Sequence, residues 1–391
     1  MRYHQIQLIA FINVILNLFL LSNLCNAQDK DYVLTQTKAL TAKKYWGRGY
    51  TKSGMEKASL YLQKEYHNLG LLPLFNGSFR QAFEFPVNTF PGKAHLELNG
   101  RHLQPGKDFI VKANSMGKKV KGEFRQIDSL TWEDQANSSK LSIVPKLTWS
   151  VGRTEASETH LQLLKPVSLP PKFPYKINLE QKLVPDFKAY NVGGWIKGTL
   201  RPDEYLVITA HYDHLGGLGS KTYFPGANDN ASGVAFMLSL AKYYAQNPPE
   251  YSIVFLAFAA EEAGLLGSKY YTEHPAFELS KIKFLFNFDL MGNGEQGATI
   301  VNASVFPKQF ELLKGINNSG KYLSALNPRG KAANSDHYHF SEKGVPAFFM
   351  YTQGGGPAYH DIDDQAKNIT FPVYDKLFEL IQRFHQEVMK P

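Results

Sequence analysis

Tyr205-Leu206-Val207-Ile208-Thr209-Ala210-His211-Tyr212-Asp213 is the stretch that decides the fold. An apolar run of strand length goes straight into a histidine and an aspartate. A strand with no polar alternation is buried on both faces, which is the habit of parallel sheets covered by helices. Three more runs repeat the layout. Ser252-Ile253-Val254-Phe255-Leu256-Ala257-Phe258 precedes Glu261-Glu262, and Phe284-Leu285-Phe286-Asn287-Phe288 ends in Asp289. Ala347-Phe348-Phe349-Met350-Tyr351 is followed by Gly354-Gly355-Gly356 and then Tyr359-His360-Asp361. Helix-like segments at 233–244, 265–271 and 372–388 separate or follow these runs; in the first, Val234, Met237, Leu238 and Ala241 share a face. The expectation is an α/β fold: a mixed, largely parallel central sheet with helices on both faces. No internal repeat is present.

In open α/β sheets ligands bind beyond the carboxyl ends of the strands. The residues that follow the four runs should therefore converge, although they lie far apart in sequence. They are histidines and carboxylates with no cysteine, a donor set suited to zinc or another divalent metal with nitrogen and oxygen ligands. Carboxylates crowded together repel one another unless cations neutralise them, and two metals sharing one carboxylate make a hydrolytic site. Of the adjacent Glu261 and Glu262, one can bind metal while the other moves protons. Singly, each of these pieces is ordinary loop chemistry; their joint order after consecutive strands is what carries weight.

Upstream, the pattern changes. Met55, Ala58, Tyr61, Leu62, Tyr66 and Leu69 fall at helical spacing, with Gly70 as a stop. From residue 83 to 200 proline, glycine and short alternating runs dominate, and Asn99-Gly100 is a hairpin turn. Residues 1–27 carry Arg2, an apolar run from Leu8 to Leu21 and Cys25-Asn26-Ala27, the layout of a secretory signal peptide cleaved after Ala27. The run is shorter than the ~20 residues of a membrane span. A lipoprotein anchor on Cys25 fits less well, since Leu24 stands where a small residue is usual. The mature protein is thus expected to be exported, periplasmic or extracellular, without a stable membrane span. The domain reading is 1–27 signal peptide, 28–84 N-terminal helical part, 85–185 β-rich insert or accessory layer, and 186–391 catalytic α/β domain.

The 391 residues are 43% hydrophobic and 20% charged, an ordinary globular composition that excludes wholesale disorder. The net charge is +8, but the densest basic cluster is only Lys118-Lys119 with Lys121, so no nucleic-acid partner is expected. The single cysteine excludes a disulfide framework and a CxxC redox pair. Glycines near 216–219 match neither phosphate-loop pattern.

From about residue 191 the chain resembles the M28 family of co-catalytic zinc peptidases. The resemblance rests on Ala210-His211-Tyr212-Asp213, the run Gly226-Ala227-Asn228-Asp229-Asn230-Ala231-Ser232-Gly233, Ala260-Glu261-Glu262-Ala263-Gly264-Leu265-Leu266-Gly267-Ser268, Asn287-Phe288-Asp289-Leu290-Met291-Gly292, Ser335-Asp336-His337 and Tyr359-His360. Gly47-Arg48-Gly49 and Gly70-Leu71 also look like this family. The resemblance implies two zinc ions per chain: His211, Asp229 and Asp289 hold one, and Asp229, Glu262 and His360 the other, with Asp229 bridging. It implies Glu261 as general base, Asp213 as the partner that orients His211, and a cis peptide at Asp229-Asn230. Tyr359 either packs or donates to the oxyanion. The implied activity is an exported aminopeptidase acting on peptides with a free N-terminus, with a metal-bridging water as nucleophile. A glutaminyl cyclase, a carboxypeptidase or dipeptidase on the same fold, and an inactive peptide-binding module stay open, as does the oligomeric state. His214 reads as a rim or supporting histidine, and Ser335 or Asp336 as a helix cap or a support of the site. Met350, Tyr351 and Phe340 are candidates for a side-chain pocket; Phe348 and Phe349 read as core. Larger members of the family carry a protease-associated domain where this chain has its β-rich stretch. That stretch reads as too short for a full copy, so a reduced insert or a β-layer is expected.

Overall fold

A computed structural model describes residues 30–165 and 168–391. The leader reading of residues 1–27 lies outside these described residues. Among them no helix is long and apolar enough to cross a membrane.

The main sheet contains β1 (Arg80–Thr89), β2 (Lys182–Ile196), β3 (Arg201–His211), β4 (Tyr251–Phe258), β5 (Ile282–Asp289), β6 (Ala298–Val301) and β7 (Ala347–Thr352), with the short strands Leu72–Pro73 and Leu326–Pro328. Its order from Leu72–Pro73 is β2, β4, β3, β5, β7, β6, Leu326–Pro328, and β1 pairs with β2. The central four, β4, β3, β5 and β7, are parallel, whereas β1, β2 and β6 join antiparallel. The α/β expectation therefore holds, with a parallel centre, antiparallel joins on either side of it and one further parallel pair, β6 with Leu326–Pro328, at the edge.

The apolar runs explain the layering. Along β3, Leu206, Ile208 and Ala210 enter one core while Val207 enters another; along β4, Ile253, Phe255 and Ala257 alternate in the same way with Val254, Leu256 and Phe258. Successive side chains point to opposite faces, so a strand with no polar positions needs cover on both. Helices α1 (Gly54–Asn68), α2 (Gly233–Gln246) and α3 (Tyr374–Val388) supply buried residues to the first core, and Tyr271 and Phe340 from two shorter helices to the second. Each such side chain contributes roughly 1.5–3 kcal/mol on full burial.

The stretch between Ala94 and Leu179 is a body of its own: eight strands form a second sheet, folded over Phe124, Trp132, Phe173 and Tyr175. This is more than the reduced layer expected from sequence. Most of its strands are short and alternate buried with exposed positions, so each leaves a weak trace in composition. The Asn99-Gly100 hairpin is present, and both residues have positive φ, 49° and 78°, as a two-residue turn of type I′ requires. Leu215, Leu218 and Phe224, from the loop after β3, complete the insert's core and tie it to the main unit.

Candidate metal centre

Register places the chemistry. In β3, Thr209 lies beside Asn287 of β5 and His211 beside Phe258, the last residue of β4. His211, Asp289 and the Glu261-Glu262 pair therefore reach the same edge of the sheet. There they meet Asp229 from the loop before α2 and His360 from the loop after β7.

The loop 226–233 works as a clamp. The Asn228 side chain accepts from Gly292 N at 2.9 Å, and Ser232 Oγ accepts from Met291 N at 2.8 Å. Asn230 Nδ2 donates to Phe288 O at 3.0 Å. These bonds pin the end of β5, which carries Asp289. Gly226 has φ +60°, and a Cβ there would collide with the Asp229 carbonyl and the His214 ring. The Asp229-Asn230 peptide is cis.

Asp229 sits at the middle. Its Oδ1 is 3.4 Å from His211 Nε2, and its Oδ2 is 3.0 Å from His360 Nε2. On the first side Asp289 Oδ2 lies 3.3 Å from His211 Nε2; on the second, Glu262 Oε2 lies 3.2 Å from His360 Nε2. His211, Glu261 and Asp289 have ligand atoms within 4.8 Å of one another, and so do His214, Asp229 and Glu262. The structure thus brings His211, Asp229, Glu261, Glu262, Asp289 and His360 to one cleft of about 440 Å³, which Tyr359 also lines. Asp213 lies behind it, fully buried.

Burial sets the electrostatics. It pushes Glu261 well up and, with the Asp229 charge, Glu262 up to about 8. Burial opposes ionisation of Asp229 too, but the His360 hydrogen bond and the His214, His360 and His211 rings hold it below the usual carboxylate range. Burial works against a proton on His360, yet Glu262 and Asp229 lift it to about 9. Carboxylates stripped of water have to borrow positive charge from histidines, which is the demand a divalent ion meets. Among the described residues Asp289 Oδ1 is buried without a hydrogen-bond partner, as an unfilled ligand position would be. The donor set fits zinc.

Some sequence readings change. Asp213 meets His211 mainly through its backbone carbonyl, 3.3 Å from Nδ1, with the nearer carboxylate oxygen at 3.7 Å. Its carboxylate instead accepts from Glu261 N, Glu262 N and Tyr50 Oη. His214 is not at a rim: it is fully buried, with Nδ1 2.7 Å from Glu262 Oε1. Asp336 caps nothing; it precedes the helix His337–Glu342 with no side-chain bond to it, and burial raises it to about 7. Met350 and Phe340 are fully buried in the core, whereas Phe349 joins Tyr351 at the cleft wall. β7 alternates, so its odd-numbered residues face the cleft near its end.

Three contributors were not legible as such. Asp364 accepts from Asn228 N at 2.8 Å and Asp229 N at 3.0 Å, holding the central aspartate from behind; nothing marked it in the run Asp361-Ile362-Asp363-Asp364. Arg48, fully buried, donates to the carbonyls of Leu40, Tyr212, Pro225, Gly226 and Asp229. Its neighbour Gly47, at φ +60°, has no room for a Cβ against the Phe224 and Gly216 carbonyls, so the Gly47-Arg48-Gly49 string marked it indirectly. From the insert, Trp149 exchanges two hydrogen bonds with His360: Trp149 N donates to His360 O, and His360 Nδ1 donates to Trp149 O, both at 3.0 Å. That bond leaves His360 Nε2 aimed at the cleft.

A sequence profile of Peptidase family M28 matches residues 191–385. The chain belongs to peptidase family M28. Among relatives in the family, Aminopeptidase YwaD of Bacillus subtilis (strain 168) is 30% identical over 202 residues, 50% of this chain and 43% of that protein. A probable zinc metalloprotease of Pyrenophora tritici-repentis (strain Pt-1C-BFP) is 38% identical over 108 residues, 27% of this chain and 25% of that one. The aligned part thus spans less than half the length of these curated relatives. The fold extends further. BSAP, a zinc aminopeptidase from Bacillus subtilis, superposes with a TM-score of 0.69 at 19% identity over 92% of this chain and 95% of its own. The aminopeptidase from Aneurinibacillus sp. strain AM-1 gives 0.65 at 18% identity over 93% and 94%. The M28 fold match therefore takes in the insert as well as the main sheet.

Proposed function

We propose that the chain is an exported aminopeptidase with two zinc ions, removing N-terminal residues from peptides. The observation that carries it is Asp229, whose two oxygens face His211 and His360 on opposite sides. His211, Asp229 and Asp289 would hold one ion, and Asp229, Glu262 and His360 the other. Bound zinc lowers the pKa of water and polarises a scissile carbonyl.

The chain's own residues do the rest. Glu261 lies in the cleft as an unligated carboxylate whose proton affinity burial raises. It takes a proton from the attacking water and returns it to the leaving amine nitrogen. Tyr359 stacks on His360 at 4.0 Å, and burial beside Asp229 keeps its hydroxyl protonated; that hydroxyl donates to the developing oxyanion. Asp213 fixes the backbone of both glutamates, and Asp364 that of Asp229. Phe349, Tyr351, Leu265 and Leu290 line the cleft and select an apolar or aromatic N-terminal side chain. The export part of the reading rests on residues 1–27.

The test is hydrolysis of aminoacyl-coumarins, each paired with its N-acetylated counterpart, with and without a zinc chelator. Cleavage confined to free-amine forms and lost on chelation is expected. Cleavage of the acetylated forms would rule out the aminopeptidase. Two ions in this cleft are expected; one in the cleft with turnover of an N-terminal glutamine peptide would favour the cyclase instead.

A further inference from the structure

We propose that the first hairpin of the insert is a separate binding site for one first-row transition dication, zinc or copper(II), held by His95, Glu97 and His102. The hairpin joins Ala94–Leu98 to Arg101–Leu103, and its register sets Glu97 directly opposite His102. His95 is two residues before Glu97, so all three side chains stand on one face of the pleat. Their ligand atoms lie within 4.8 Å of one another. His102 Nδ1 is 3.5 Å from Glu97 Oε2, close to the ~3.4 Å between two donors on one tetrahedral zinc. The His95 and His102 rings lie 4.9 Å apart, tilted by 53°. His102 is exposed and His95 half-buried, so rotation of the His102 ring about its own side-chain bonds closes the remaining gap without moving the backbone.

The carboxylate is already divided between two tasks. Glu97 Oε1 takes Lys176 Nζ at 2.7 Å, from the neighbouring strand, while Oε2 faces the histidine. Ligating carboxylates are commonly held this way by an outer hydrogen bond. Two imidazoles and one carboxylate favour zinc, copper(II) or nickel over magnesium and calcium. Water completes the coordination, because only three protein donors reach the site. The location is also set apart: His95 lines a cavity of about 870 Å³ between the insert and the main unit, and this cavity shares no lining residue with the catalytic cleft.

The proposal does not depend on how many ions the catalytic cleft holds, because its test reads a difference. The untagged full-length chain and a His95→Ala/His102→Ala double variant are dialysed against the same buffered micromolar zinc, and bound metal is counted by mass spectrometry. The wild type should hold one more zinc per chain, with coumarin hydrolysis the same in both. Copper(II) added to the wild type should give, beyond any signal from the catalytic cleft, a second set of electron paramagnetic resonance lines with nitrogen hyperfine structure that the double variant lacks. Glu97→Gln, which spares both rings, should weaken zinc at this site at least about tenfold. Neither replaced histidine is part of a core, His102 being exposed and His95 half-buried, so the far-ultraviolet dichroism should be unchanged; if the double variant unfolds, Glu97→Gln alone decides. Equal zinc in wild type and variant, or unaltered affinity in Glu97→Gln, overturns the site.

Discussion

The main sheet and the insert bury β-structure in opposite ways. In the main sheet the central strands are apolar throughout and covered on both faces, so polar residues are expelled to the strand ends, where they collect in one cleft. In the insert the strands alternate, and its polar residues are spread over an outer face. Chemistry is concentrated by the first design and dispersed by the second. The insert's contribution to the cleft is accordingly made by backbone: the Trp149 carbonyl on His360. Around it, Lys146 Nζ donates to Pro357 O at 2.6 Å and pairs with Asp361 at 3.4 Å. Trp149 itself is buried, stacked on Phe224 at 4.6 Å and donating to Val111 O.

This contrast can be tested by the size of mutational effects. The largest belongs to the centre of the cleft. Asp229→Ala should abolish turnover and empty both ion sites, as read by metal analysis, while the insert's tryptophan fluorescence stays native. Retention of both ions would end the bridging role. Glu261→Gln comes next: turnover should fall by about 10²–10⁴-fold with metal content unchanged. Near-native turnover would remove Glu261 as the base.

A smaller effect is expected from across the boundary. Trp149→Ala keeps the carbonyl but removes the stack on Phe224 and the bond to Val111 O that hold it in place, so it should lower metal affinity by up to about 10-fold in a chelator competition, the low end of what losing a ligand's outer partner costs. Lys146→Met, on the surface, should act in the same direction but more weakly. If neither variant changes metal release, the insert is a passenger as far as the cleft is concerned, and the comparison loses its crossing point at His360.

The smallest effect concerns acid. Burial holds His214, His337 and His385 neutral, each with a pKa near 3, all in the main unit; in the insert His160 falls to about 4. An unfolded histidine takes a proton near 6.5. Between about pH 6.5 and pH 3 the unfolded state therefore binds more protons, so stability is full above 6.5 and falls as the pH drops. Each such group adds a slope of up to about 1.4 kcal/mol per pH unit. His385→Asn should make the fall in melting temperature of the metal-free protein shallower between pH 6.5 and 4.5. An unchanged slope would mean that His385 is not held neutral.

The same contrast explains what could be read from sequence. β3, β4, β5 and β7 were legible because an uninterrupted apolar run has few other fates, and the cleft residues because each follows such a run. Sequence left open whether Asp336 caps a helix or supports the site and whether His214 lies at the rim or supports it, because burial is a property of neighbours that arrive from elsewhere in the chain. Asp364 and Trp149 act on or through peptide groups, which every residue has, so no residue type announced them. The insert's eight strands were blurred into a layer because six of them run only three to six residues, which carry little periodic signal.

Arg48 gives this arrangement a history. Its acceptors at Tyr212 and Asp229 lie 164 and 181 residues downstream. A chain made from its N-terminus therefore presents the guanidinium with only the Leu40 carbonyl already made, and water must serve until the other four acceptors exist. The last of them to appear is the carbonyl of Asp229 itself. The loop that carries the central aspartate is thus closed by a residue from the start of the fold, late in assembly. Closure of that loop, and with it the placing of the central aspartate, waits until residue 229 has been made.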